Sequence, residues 1–279
     1  MRMNVVRGMV ALVVLFTQMV VVPAAQDGRQ GGGRRGAPPP AATGPFDAHD
    51  LSGIWNRTGG SRGISRQPGQ DMPPMTPLGQ KRFDASKPGY GPRAVPPSVG
   101  NDSVGECNPQ GMPRILLFPR PFEIVQMPDR MLQIFQWHGA LRQIWADGRT
   151  IPADFTPSFQ RWYGFSAARW EGNTFVVESA GFDDRAWVDH FGYPKSERMR
   201  LEERYTRTGP DTIEVVMTIT DPEIYTRPWV SEKKTLTRVP RQEATTDGFY
   251  GLAEELCVPL DELEFNRRVR DAAGGVAPK

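Results

Sequence analysis

The stretch RWEGNTFVVESAGFDDRAWVDHFGY, Arg169 to Tyr193, decides how this chain reads. Side chains alternate across a strand, so Phe175 and Val177 fall on one face and Val176 and Glu178 on the other. Gly172 and Asn173 form a two-residue link of the kind that closes a tight β-hairpin, which sets Trp170 across from Phe175. The chain then leaves the strand near Phe182 and delivers Asp183, Asp184, Arg185 and His190 to one rim of an antiparallel sheet.

The same period of two recurs on both sides. PFEIVQM, MLQIFQWH and LRQIWAD, between Pro121 and Asp147, are short, rich in β-branched and aromatic residues, and separated by turn residues. A link through Gly139 and Ala140 suits a type II′ turn and would set Trp137 opposite Arg142. RMRLEERYTR and DTIEVVMTITD form a further hairpin about Gly209, Pro210 and Asp211. Ile213, Val215, Met217 and Ile219 define its inner face, as do Met199, Leu201 and Tyr205 on the partner strand. Glu203 shares that inner face, where a carboxylate must be paired, hydrogen-bonded or protonated. LSGIWNR, Leu51 to Arg57, reads as a first strand. Between Gly59 and Gly105 proline and glycine leave room for one short helix, with Thr76 as N-cap, Pro77 at the first position and an end near Ser86. A second helical segment is expected from Pro259 to about Ala272. These spacings predict an all-β fold, an antiparallel barrel with a long Pro/Gly-rich N-terminal extension and a C-terminal helix.

Arg2 and Arg7 flank the start of an apolar run from Gly8 to Val22 that ends in Pro23, Ala24 and Ala25, the pattern of an export signal over residues 1–25. The run is shorter than the ~20 residues a spanning helix needs. Residues 26–45 are rich in glycine and proline and read as a flexible linker. Residues 46–279 then form one domain, with extended chain over 46–114, a barrel core over 115–240 and a helical segment over 250–279. The mature protein is expected in the periplasm or secreted. An even cysteine count in an exported chain predicts a Cys107–Cys257 bridge, two buried thiols being the alternative. A formal net charge of +2 gives no nucleic-acid footprint.

Several motifs together carry a resemblance. DLSGIW (Asp50–Trp55), KPGYGPRAVPP (Lys87–Pro97), ARWEGNTFVVE (Ala168–Glu178), GFDDRAW (Gly181–Trp187), ERYTR (Glu203–Arg207) and IYTRPWVSEKK (Ile224–Lys234) resemble a large group of uncharacterised exported bacterial proteins. The G-x-W of the first strand is similar to the lipocalin and calycin pattern. The resemblance implies export and a barrel, and carries over no catalytic residue. It also implies a histidine pair flanking the proline after His190, where this chain has Tyr193 and Lys195, so a metal site built on that pair is not expected here.

Candidate functional residues cluster near the expected barrel mouth. Of three histidines, His138 lies beside a hairpin turn and His190 in the loop after Phe182. With Asp184, Asp189 and Glu203, His190 makes a set for cofactor-free acid–base chemistry, hydrolysis or elimination, Arg185 holding an anionic group. The bland alternative is an aspartate–arginine brace. Trp137, Trp162, Tyr163, Trp187, Tyr205 and Trp229, with His138, offer flat faces for a sugar ring or an aromatic compound, or else fill the barrel. No phosphate loop, dinucleotide fingerprint, hydrolase elbow or zinc motif occurs. The expectation is an exported barrel that binds a small carbohydrate or aromatic molecule, with no cofactor, no metal and no nucleic-acid partner; the alternative is a non-catalytic envelope interaction protein.

Overall fold

A computed structural model describes residues 44–58, 61–96, 99–240, 251–259, 264–265 and 267–268. The expected signal, most of the linker and most of the C-terminal helical segment lie outside the described residues.

Ten strands follow one another: β1 (Gly53–Arg57), β2 (Phe122–Gln126), β3 (Arg130–Phe135), β4 (Leu141–Trp145), β5 (Phe165–Glu171), β6 (Thr174–Ala180), β7 (Arg200–Gly209), β8 (Thr212–Thr220), β9 (Trp229–Val230) and β10 (Lys234–Arg238). Each from β1 to β8 pairs with the next, and β10 pairs with β1 on one side and β8 on the other. The sheet therefore closes into a nine-stranded barrel, with β9 running beside the far half of β8. Closure removes the unpaired edges an open sheet would expose. The helix α1 (Pro77–Ala85) starts as expected: the Thr76 hydroxyl accepts the Gly79 N–H and Pro77 takes the first position.

The alternation holds. Leu201, Glu203, Tyr205 and Arg207 of β7 and Ile213, Val215, Met217 and Ile219 of β8 are buried on the inside. Trp170 stands across from Phe175 as expected. Val176, on the outer face, is also buried; its ladder neighbours on either side are Arg169 and Arg204, whose ion pairs to Glu171 and Glu178 lie on that face.

Two features depart from the sequence reading. The β3–β4 turn is centred on His138 and Gly139, with φ of 60° and 56°, and Gln133, not Trp137, faces Arg142. The link runs over four residues, Gln136 to Gly139, closed by the Phe135 N–H on the Ala140 carbonyl, so Arg142's partner slides four residues along β3 and Trp137 leaves the ladder to bridge to Glu255. The second departure sits between β4 and β5, which run parallel while every other neighbouring pair is antiparallel. A parallel pair needs a crossover, so residues 146–164 climb the outside of the wall from one end of the barrel to the other.

Apart from the crossover, the longer connections gather at one end. The described part of the β1–β2 connection (58, 61–96 and 99–121), the β6–β7 connection and the β8–β9 connection lie there, and their buried side chains, Ile64, Met112, Leu117, Val188, Tyr193 and Ile224 among them, form one core with the barrel interior. They make a cap. Cys107 and Cys257 are joined, with Cα atoms 5.5 Å apart. At the opposite end His49 stacks on Trp170 at 4.3 Å and reaches the Gly172 carbonyl at 2.9 Å, so it is part of the closure of that end. Among the described residues no helix is long and apolar enough to cross a membrane.

Candidate binding site

Glu203 finds its partner across the barrel. Arg142 points inward from β4 and donates to both Glu203 oxygens, at 3.0 and 2.5 Å, with neither side chain exposed beyond 1%. The same guanidinium donates to Gln133 on β3 (3.0 Å), Ser166 on β5 (3.2 Å) and Ser179 on β6 (2.8 Å). Tyr205 donates to Glu203 at 2.7 Å and accepts from Gln133. Burial, and then the neighbouring Glu203 charge, push the Tyr205 hydroxyl well above its ordinary pKa. Every member has partners, the condition under which buried charge is tolerated. The network spans five strands and crosses the β4–β5 seam. Glu203 and Tyr205, expected as proton carrier and ligand contact, are here structural members of the wall.

The Asp183–His190 cluster divides. Asp183 and Arg185 close on each other at 2.6 Å, and Arg82 from α1 holds Asp184 at 2.8 Å. These residues do stand on the rim. Asp189 and His190 do not: they are 1% and 6% exposed, because residues 61–65 lie over them and the His190 N–H donates to the Arg62 carbonyl. Burial raises the Asp189 carboxyl to about 7. His190 is held well below its ordinary pKa by burial and by Arg114. Arg114 is itself buried and forks onto Asp102 at 2.8 and 2.6 Å.

Sequence reasoning missed Arg82, Arg114, Phe118 and Lys195. All lie in irregular or differently patterned segments, where no period marks a side chain as inward. Lys195 is fully buried, donates to the Met112 carbonyl at 2.9 Å, and is lowered by burial to about 7.

The aromatic candidates separate likewise. Trp229 is core, with its N–H on the Ser65 hydroxyl. Trp137 meets Phe118 edge-on, Phe118 stacks on His190 at 5.5 Å, and Arg114 stands 5.6 Å from the Trp187 ring. Four of the expected residues, Trp137, His138, Trp187 and His190, thus meet at the capped end through Phe118 and Arg114. The ring nitrogens Trp137 Nε1, His138 Nε2 and His190 Nε2 are buried there without a hydrogen-bond partner, and the Tyr163 hydroxyl, on a ring stacked 6.3 Å from Phe135, is buried unpartnered as well. Burial lowers the His138 pKa and raises that of Tyr163.

Trp162 and Tyr163 lead elsewhere. They belong to the crossover, which stands off the wall and encloses a cleft of about 610 Å³. Its floor is the outward face of the seam, Leu141, Gln143 and Trp145 on β4 with Phe165 and Ala167 on β5; its roof is residues 149–163. Gly164 lets the crossover turn into β5: its φ is +67°, and a Cβ there would lie 2.6 Å from the Phe182 ring. Gly181 does the same for the roof, since a Cβ would meet Pro157 and Phe155 at 2.9 and 3.2 Å. Arg149 stacks on Trp145 at 3.9 Å and Arg161 on Phe165 at 4.0 Å. On the far side of the crossover a polar cleft of about 650 Å³, bordered by Arg82, Asp184, Arg198, Arg200 and Glu223, carries both signs of charge. Among the described residues no three His, Cys, Asp or Glu side chains are grouped to hold a metal ion. No protein-family model, no curated protein and no solved structure matches this chain.

Proposed function

We propose that this chain is an exported binding protein that holds a small organic molecule with a flat ring in the cleft between the crossover and the β4–β5 wall. The observation that carries this reading is the cleft itself. Its volume lies within the roughly 300–1,000 Å³ range of small-molecule sites, and Trp145, Phe155, Phe159, Trp162, Tyr163 and Phe165 line it. Two of the large apolar side chains that face water, Leu141 at 57% and Phe159 at 56%, stand at this one place. Export is supported by the leader-like residues 1–25 and by the Cys107–Cys257 bridge, which suits an oxidising compartment. A closed barrel that opens with a G-x-W strand is also what kinship to the calycins would require.

The test is a thermal-shift screen of the purified protein against aromatic compounds and sugars, repeated on Phe159→Ala. A ligand that binds only the folded state adds about 2.7 kcal/mol of stability at one hundred times its Kd. The expected result is a rise in Tm with ring compounds that Phe159→Ala removes, while the unliganded Tm of the variant stays within a degree or two. A screen in which no small molecule moves Tm would leave the barrel as an interaction scaffold.

A further inference from the structure

We infer, resting on the cleft reading above, that the occupant is a flat organic anion, an aromatic carboxylate in its simplest form, with Arg161 as its anchor. No aspartate or glutamate lines the cleft, whereas three arginines do. Two of these are already neutralised. Arg142 points through the wall into the barrel, where Glu203 takes its charge, and Arg149 is closed on Asp147 at 2.6 Å. Arg161 differs. It is exposed, it has no carboxylate within ion-pairing distance among the described residues, and its guanidinium touches only aromatic rings, Phe165 at 4.0 Å and Phe159 at 5.3 Å.

A cation held over rings has its fork of N–H donors left open, the geometry that takes a carboxylate through two parallel hydrogen bonds. Its main chain is fixed independently of the side chain. The Arg161 N–H donates to Gly181 and its carbonyl accepts from Asp183, so the guanidinium is presented from an anchored position at the roof. An anion on Arg161 places its attached ring among Phe159, Phe165 and Tyr163. Neutral sugars gain nothing from the uncompensated charge, and cations are repelled by it.

Calorimetric titration of the full chain with 2-naphthoate and with its neutral counterpart 2-naphthalenemethanol tests this directly. The expected result is about tenfold or more tighter binding of the anion, a preference that shrinks as salt is added and that Arg161→Gln abolishes. Arg161→Lys, which keeps the charge and loses the fork, should fall between the two. Equal affinity for both probes, or an Arg161→Gln protein that still prefers naphthoate, overturns the anion assignment and leaves the cleft standing. Failure of both probes to bind at millimolar concentration, or binding of both that Phe159→Ala leaves unchanged, overturns the cleft reading itself. An unchanged urea-unfolding midpoint certifies that Arg161→Gln is folded.

Discussion

The wall formed by β6, β7 and β8 and the seam between β4 and β5 are parts of one barrel built in opposite ways. β6 and β7 share six consecutive register pairs and β7 and β8 eight, with a ninth beyond a bulge at Arg207–Gly209, whereas β4 and β5 share two, Ile144 with Ser166 and Trp145 with Ala167. The wall is held by its ladder. The seam is held from inside by the Arg142 guanidinium, which reaches Ser166, Ser179 and Glu203, and from outside by the crossover. A cleft can form against the seam because a parallel pair demands a long connection, and that connection cannot pack as closely as a neighbouring strand. The two regions also treat charge differently: inside, Arg142 and Glu203 match each other; outside, Arg161 is left with rings alone.

The largest effect that would break this contrast comes from Glu203. Glu203→Ala strands Arg142 without its counter-charge, and removing one partner of a buried pair costs about 3–5 kcal/mol. Urea unfolding should show that loss, while the double change Arg142→Met with Glu203→Leu recovers much of it. A Glu203→Ala protein as stable as the parent would mean the network does not hold the seam.

The cap supplies the next effect. Lys195 is buried with one hydrogen-bond acceptor, and burial lowers it to about 7 from an ordinary 10.5. Between those values the unfolded chain binds the proton that the folded chain has released, so stability rises with pH across that window. Below pH 7 the raised Asp189 and lowered His190 act with opposite signs: the first makes stability fall as pH rises, the second makes it rise. The mildly alkaline side is therefore the cleaner one, short of the tyrosine range, where the raised Tyr163, Tyr193, Tyr205 and Tyr225 make stability fall as pH rises. Lys195→Met should flatten the gain between about pH 7 and 9 by on the order of 2 kcal/mol, leaving the contribution of Lys234, which burial also lowers. An unchanged pH profile of the urea midpoint would show that Lys195 titrates normally.

Smallest in stability is the cleft surface. Leu141→Ser and Phe159→Ala remove exposed apolar groups and should each change stability by less than about 0.5 kcal/mol, yet diminish ligand-induced thermal shifts. A larger stability loss would make these side chains supports of the crossover.

The hairpins were legible because their signals are local. Two-residue turns and strict alternation locate β5 to β8, place Trp170 on Phe175 and turn Glu203 inward, and Thr76 with Pro77 marks α1. Parallel pairing leaves no such trace. ADGRTIPADFTPSFQRWYG reads as any Pro/Gly-rich connection, and nothing in it says that it returns to the strand it left. Reading Gly139 as the first turn residue put Trp137 opposite Arg142 and hid that arginine's inward partner set; a left-handed histidine is too uncommon to anticipate. Asp189, His190 and the missed Arg114 and Lys195 are buried by contacts between segments far apart in sequence, and those contacts have no period. Part of the expected ligand surface, Trp162 and Tyr163, does line the cleft, although on the outer wall and not in the mouth.

Hydrogen exchange of backbone amides, with and without saturating 2-naphthoate, tests the central claim most directly. Ligand in the cleft should slow exchange in β4, β5 and residues 146–164 while β6 to β8, already fully laddered, stay unchanged. Protection that appears instead in residues 181–199, or at the capped end around Trp137 and His190, would contradict the claim and move the site to the barrel mouth.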